Sequence, residues 1–226
     1  VTAAPRGAAL VAALERRFVT VVDPVPVGDA VFEILRPRAA EDLIDEDAFE
    51  ADERLPYWAD VWPSARVLAA RLLAERGAGR SLLELGCGSG VAAVAALRAG
   101  FDVTVTDYYD DALLFARANG WRLTGREPAA ARHVDWRAFP DDLGHFDVVA
   151  ASDVLYERPY AALVARAFAR TLARGGVGLL TDPGRVFAPA FADEAAALGL
   201  QVGAPEVHEI DANGTRQAIR LYTVGR

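Results

Sequence analysis

The chemistry-bearing stretch of this sequence is Ser81-Leu-Leu-Glu-Leu-Gly-Cys-Gly-Ser-Gly90, a short apolar run that ends in one acid and opens into glycines at alternate positions. It predicts a buried strand feeding a nucleotide-binding turn, in which Gly86, Gly88 and Gly90 let the backbone turn sharply and approach a ligand. The following Val91 to Ala99 predicts a helix whose N-terminus faces that ligand. The next apolar run, Phe101 to Thr106, ends on Asp107, 21 residues after Gly86. A carboxylate there is placed to accept hydrogen bonds from ribose hydroxyls.

The elements that must hold these residues alternate. Strand-like runs at 81–85, 101–106, about 131–135, 146–151 and 177–181 are separated mostly by helical stretches near 91–99, 110–118, 159–173 and 187–198. Such alternation predicts an α/β fold with right-handed crossovers and a mostly parallel sheet covered on both faces. The end differs, because 202–210 and 217–224 are strand-like and joined through Asp211-Ala-Asn-Gly214, a hairpin signal that gives the sheet an antiparallel last strand. Upstream, residues 65–76 predict a helix with Val67, Leu68, Leu72 and Leu73 inward and Gly77 as its stop. Residues 7–18 predict a short amphipathic helix, and 18–27 with 30–35 a hairpin about Gly28-Asp29. We therefore expect an N-terminal addition over 1–53, comprising helix, hairpin and acidic segment, and a ligand-binding domain over 54–226.

Ligands of open parallel sheets sit beyond the C-terminal strand ends. That rule makes Glu84 to Gly90, Asp107 with Tyr108, Asp135 with Trp136, Ser152 with Asp153, and Asp182 the candidate rim. The rim is acidic and aromatic, which suits a nucleoside-bearing ligand lacking a pyrophosphate. No phosphate-cradling G-x-x-x-x-G-K-[ST] loop is present, and the glycine spacing departs from the dinucleotide fingerprint.

Composition bounds the rest. A chain of 226 residues that is 53% hydrophobic suits one domain with a small elaboration. Its 24 basic residues are all arginine, and its net charge of -8 argues against non-specific binding to nucleic acid. The excess of acids is local: Glu41 to Glu53 holds eight acids and no base, and outside it acids and arginines balance. That segment reads either as a solvated face or as a dock for a basic substrate surface. Cys87 is the single cysteine, so neither an internal disulfide nor a multi-cysteine zinc site is expected. His133, His145 and His208 are scattered without ligand spacing, and no metal is expected. With no apolar run long enough to span a bilayer, the expectation is a cytoplasmic protein without a membrane partner.

Glu84-Leu-Gly-Cys-Gly-Ser-Gly90, Asp107 and the terminal hairpin resemble the seven-strand, Rossmann-like S-adenosylmethionine-dependent methyltransferases. More narrowly, Tyr57-Trp58-x-x-x-Trp62-Pro63-Ser64, Val134-Asp135-Trp136, Ser152-Asp153-Val-Leu-Tyr156 and Asp182-Pro-Gly-Arg185 resemble a branch containing protein lysine methyltransferases with an Asp-x-x-Tyr motif, and bacterial relatives labelled nicotinamide N-methyltransferase-like. The resemblance covers residue 54 to the C-terminus. It departs from the branch at Trp62-Pro-Ser-Ala65, where relatives often carry glycine.

The resemblance implies that Glu84 and the Gly86, Gly88, Gly90 loop hold the methionyl end of S-adenosylmethionine, and that Asp107 takes the ribose. It further implies that Trp136 stacks on the adenine while Asp135 caps its polar edge, that Trp62 closes the pocket beside the sulfonium, and that Ser152 lines the cofactor. Asp153 and Tyr156 would hold and aim an acceptor amine. The non-catalytic alternatives are a helix N-cap for Asp153, a packed aromatic for Tyr156, core packing for Trp58 and Trp62, and an inert Cys87. The function expected is methyl transfer from S-adenosylmethionine to an amine nitrogen, with a protein lysine as acceptor. Alternatives are a small-molecule N-methyltransferase, a catalytically inactive cofactor-binding partner protein and, disfavoured by its glycine spacing, a nicotinamide-dependent oxidoreductase.

Overall fold

A computed structural model of the chain describes residues 6–43, 56–212 and 214–226. Most of the acidic segment, residues 44–53, lies outside the described residues. Of its first acids, Asp42 pairs with Arg38 at 2.8 Å on the 3-10 helical turn Ala40–Leu43.

The chain opens with helix α1 (Ala8–Arg17) and the antiparallel hairpin β1 (Thr20–Val27) and β2 (Ala30–Pro37), turned by Gly28-Asp29. Helix α2 (Pro63–Leu73) follows, then β3 (Ser81–Leu85), α3 (Val91–Ala99), β4 (Asp102–Asp107), α4 (Asp110–Thr124) and β5 (Ala130–His133). The second half contains β6 (Phe146–Ser152), α5 (Arg158–Thr171), β7 (Leu172–Asp182), α6 (Ala188–Ala197), β8 (Gln201–Val202), β9 (Glu206–Ala212) and β10 (Thr215–Gly225).

One sheet runs in the order β5-β4-β3-β6-β7-β10-β8, with β9 also paired to β10. Strands β3 to β7 are mutually parallel, and β10 is antiparallel to β7, β8 and β9. The expected antiparallel last strand is thus present, inserted between β7 and the strands before it. The expected run 202–210 is divided into β8 and β9 at Gly203-Ala-Pro205, where proline has no amide hydrogen for a ladder. Among the described residues the central sheet accordingly has eight strands where seven were expected.

Alternation along the strands assigns each side chain to a layer. Leu82, Val148, Ala150 and Leu179 join α2, α3 and the hairpin residues Val25, Val27, Phe32 and Ile34 in one core. Leu83, Leu85, Val149, Ala151 and Leu180 face α5 and α6 in another. The N-terminal addition therefore shares its core with the sheet domain. Buried Asn119 reinforces this union: it accepts from the Leu35 amide (2.8 Å) and donates to the carbonyls of Leu35 (2.7 Å) and Ser89 (2.9 Å), which ties hairpin to glycine loop.

Three elements differ most from the expectation in their bounds. Helix α2 begins at Pro63 and ends at Leu73, before Gly77, with Leu73 only half-buried. Helix α4 continues to Thr124 through Asn119 and Gly120, because Gly120 meets Leu97 closely; a Cβ there would lie 2.9 Å from Leu97 Cδ1. Strand β7 begins at Leu172, where helix to 173 was expected. Among the described residues no helix is long and apolar enough to cross a membrane.

Candidate active site

Strand order reverses at β3, which has β4 on one side and β6 on the other, so a cleft must open beyond their C-terminal ends. A cavity of about 460 Å³ lies there. Its floor is the loop after β3, fastened to β4 by hydrogen bonds from the amides of Gly86 (2.9 Å) and Cys87 (3.0 Å) to the Thr106 carbonyl. Two glycines are demanded by close approach as well as by left-handed backbone. A Cβ on Gly88 (φ 51°) would lie 3.2 Å from the Trp58 carbonyl oxygen, and one on Gly90 (φ 86°) 2.6 Å from Ala116 Cα. Gly86 and Gly88 line the cavity, whereas Gly90 sits at the N-cap of α3 and serves the packing of α3 on α4.

Asp107 ends β4 with both carboxylate oxygens held: Oδ2 accepts from the Gly88 amide and Oδ1 from the Tyr109 amide, each at 3.0 Å. Burial raises its pKa against those amides. Glu84 does not line the cavity. Alternation points its side chain with Leu82 toward α3, beneath the loop, where it is 2% exposed and Oε2 has no partner among the described residues. Burial, then the neighbouring Asp107 charge, push its pKa up to about 8. The fixed Asp107 carboxylate at the next strand end, beside the Gly86 and Gly88 backbone, fits a ribose. Cys87 is buried and its thiol pKa is raised by that burial, so it stays an uncharged wall of the loop.

Aromatic rings wall the cavity in one unbroken series. Trp62 meets Tyr57 at 6.0 Å between centroids, Tyr57 meets Tyr156 at 5.8 Å, Tyr156 meets Tyr160 at 4.9 Å, and Tyr160 meets Trp136 at 5.5 Å, each edge to face. Trp62 is placed by Pro63, which starts α2 directly behind it and needs no glycine there, and by its indole N–H, which donates to the Tyr57 carbonyl at 2.9 Å. Trp136 is placed by Asp135, whose carboxylate caps the turn Trp136–Ala138 through the Arg137 amide (2.9 Å) and pairs with the Arg137 side chain. Trp58 belongs mainly to the core under the N-terminal addition, against Phe115 and Tyr109.

At the far strand ends, Ser152 and Asp153 follow β6. Asp153 has φ 58°, the single left-handed non-glycine among the described residues, and is 7% exposed. It is held from three sides. Its amide donates to the Thr181 carbonyl (2.9 Å), Oδ2 accepts from Ser64 Oγ (3.1 Å), and Oδ1 accepts from Arg185 Nε (2.7 Å). The N-cap of α5 is Glu157, so Asp153 is no helix cap. Tyr156 is 36% exposed in the cavity wall, and its phenol pKa is raised by burial and by Tyr160. Asp182, expected at the rim, is fully buried and organises the turn after β7, accepting from the amides of Gly184 and Arg185 at 2.6 Å.

The structure thus brings Trp62, Gly86, Gly88, Asp107, Asp135, Trp136, Ser152, Asp153 and Tyr156 to one cavity, and leaves Glu84 and Gly90 behind its floor. The sequence reading assigned no role to Ser64, Tyr57, Tyr160 or Arg185. Ser64 and Arg185 stood inside the quoted motifs, but their contact with Asp153 spans 89 and 32 residues, beyond the reach of local spacing.

Comparison with known proteins agrees with this architecture. A family described as a methyltransferase domain matches residues 57–210. The electron transfer flavoprotein beta subunit lysine methyltransferase of Danio rerio is 32% identical over 133 residues, covering 58% of this chain and 51% of that protein. A ubiquinone biosynthesis O-methyltransferase of Psychrobacter arcticus is 32% identical over 114 residues, covering 50% and 44%. The chain spans about half the length of the curated relatives it matches. Among solved structures, magnesium protoporphyrin IX methyltransferase of Synechocystis, with bound S-adenosylmethionine, shares the fold at a TM-score of 0.56 and 17% identity, over 82% of this chain and 94% of that one. With a family match over more than half its length and a sheet order and glycine loop to carry it, this chain belongs to the class I S-adenosylmethionine-dependent methyltransferases.

Proposed function

We propose that the protein transfers a methyl group to an amine nitrogen, with a protein lysine side chain as acceptor. The observation that carries the reading is the buried Asp153 carboxylate beside a wall of five aromatic rings. Among the described residues the cavity lining holds five carboxylates (Asp60, Asp107, Asp135, Asp153 and Glu157), one guanidinium and no imidazole. Acids and aromatic faces favour a cation such as an alkylammonium. An acceptor hydroxyl would instead call for a base of near-neutral pKa beside it. The name of the Danio rerio relative specifies a lysine acceptor, and that of the Psychrobacter arcticus relative an oxygen, so the acceptor end of the cavity supports the choice between them.

S-adenosylmethionine supplies an electrophilic methyl group on a sulfonium when bound. Gly86, Gly88 and Asp107 would hold its methionyl and ribose portions, Trp136 its adenine, and Trp62 would face the positive sulfur. Glu84 would serve from beneath the loop. The protein's remaining work is to present a neutral nitrogen in line with the methyl carbon. Asp153 draws the ammonium in and orients it. Its rigid fastening by Ser64 and the Thr181 carbonyl fixes the direction of approach. The Tyr156 phenol, kept protonated by its raised pKa, offers a wall and a hydrogen bond but no base, and the ammonium proton leaves to water at the cavity mouth.

The decisive experiment incubates the protein with methyl-labelled S-adenosylmethionine and a lysate of its own source, and locates the label by mass spectrometry. Label on a protein lysine is the expected result. Label on an oxygen, or on small molecules alone, refutes the lysine reading.

A further inference from the structure

A second cavity, of about 550 Å³, adjoins the first at the Asp153 and Arg185 pair. Trp62 and Pro63 form one side, the turn Pro183-Gly184-Arg185 another, and Gln217, Ala218 and Arg220 of β10 the rest. Trp62, Asp153 and Arg185 line both spaces.

Its charge is opposite in sign to that of the first. Among the described residues the second cavity is lined by two guanidiniums and one carboxylate; Arg185 is paired with that carboxylate, Asp153, which leaves Arg220 as the surplus charge. Arg220 is half-buried, its hydrogen bond goes to the Pro183 carbonyl at 3.4 Å, and among the described residues no carboxylate pairs with it. Gly184 makes room for it: a Cβ at that position would fall 1.8 Å from Arg220 Nη1. The cross-strand neighbour of Arg220 on β7 is Asp182, whose carboxylate accepts from the Gly184 and Arg185 amides and makes no ion pair with Arg220, so the Arg220 guanidinium can take a further negative group.

We propose that this second cavity is an anion subsite for the acceptor, taking a carboxylate carried close to the acceptor amine, with Arg220 and Arg185 as its counter-charges. The proposal rests on the reading of Asp153 as the seat of the amine. Arg220 takes the carboxylate whether or not the amine is seated; an ammonium settling on Asp153 also displaces Arg185 from Oδ1, and the released guanidinium joins Arg220 at the carboxylate. One positive and one negative group enter together, so the site gains no net charge. In a protein acceptor this chemistry is a lysine with an aspartate or glutamate within a few residues of it.

Two peptide pools with randomised flanks test the subsite, one centred on lysine and one on norleucine. The norleucine pool is passed over protein loaded with S-adenosylhomocysteine, and retained peptides are sequenced. Asp and Glu should be enriched over Asn and Gln by about tenfold, as expected of a charge-assisted contact, and Arg220→Gln should abolish the bias while Arg220→Lys keeps most of it. Thermal melting of each variant checks that it is folded. No enrichment on the native protein, or enrichment unchanged in Arg220→Gln, overturns the subsite. The lysine pool is scored by methylation. Retention of acidic norleucine peptides without methylation of any lysine peptide would leave the subsite standing and refute the lysine reading; methylation indifferent to acids, with no norleucine retention, would do the reverse.

Discussion

Ser64, buried in the first turn of α2, donates its hydroxyl to Asp153 Oδ2 across 3.1 Å, and so couples the helix before the glycine loop to the strand end that carries the carboxylate. The same serine's carbonyl accepts from Thr181 Oγ1 at 2.9 Å, which brings β7 into the connection. Removing the hydroxyl leaves a buried carboxylate with one fewer donor. Ser64→Ala should therefore lower kcat/KM for the acceptor roughly tenfold, the consequence of about 1–2 kcal/mol lost from a hydrogen bond to a charge. Calorimetric titration should find S-adenosylmethionine affinity within about threefold of the native value, since the lost contact lies at the acceptor end.

Asp153→Asn tests the carboxylate itself without disturbing the backbone. Asparagine tolerates the left-handed conformation that this position adopts, and its volume matches. Turnover should fall by about a hundredfold or more, with cofactor binding retained, because the charge that draws the ammonium is gone while the loop is untouched. Turnover within about threefold of native would remove Asp153 from the acceptor site.

Gly90→Ala should destabilise the fold by about 2–3 kcal/mol, read as a shift in the urea midpoint. The new methyl would lie 2.6 Å from Ala116 Cα and on left-handed backbone, so α3 and α4 must part. Gly88→Ala has a different signature. Its Cβ meets the Trp58 backbone, nearest at the carbonyl oxygen at 3.2 Å, on left-handed backbone lining the cavity, and the change should weaken cofactor binding more than it weakens the fold.

Stability should fall as pH rises through the Glu84 titration. Glu84 is protonated in the folded chain up to about pH 8, whereas in the unfolded chain it ionises near its ordinary value of 4.5. Between those values the native state binds the extra proton. Its contribution is thus fully present below pH 4.5 and is lost at about 1.4 kcal/mol per pH unit until it levels off above the folded pKa. Glu84→Gln, which keeps the neutral shape, should remove that slope. Urea midpoints of the native chain and the variant at pH 5, 6.5 and 8 check it; parallel curves would show that Glu84 is ionised in the fold.

Local physics made much of the protein legible from its residues. Apolar runs such as Ser81–Leu85 and Phe146–Ser152 carry strand and burial information within themselves, and a glycine loop between strand and helix announces a ligand whatever surrounds it. Asp107 and Trp136 were legible because the ends of parallel strands share one edge of the sheet. Boundaries were less so: α4 runs on through Asn119-Gly120 because Leu97 and the Leu35 backbone receive those residues, and neither partner is a neighbour in sequence.

Residue types and spacing determined the fold class, the glycine floor and the carboxylates along the strand ends, since these follow from periodicity of two and 3.6 and from the rule that crossovers are right-handed. Tertiary structure decided who touches whom. Only chain closure could set Arg185 and Ser64 on Asp153, send Glu84 beneath the loop instead of into the cavity, and leave Arg220 in no ion pair among the described residues, because each depends on the register between strands far apart in sequence.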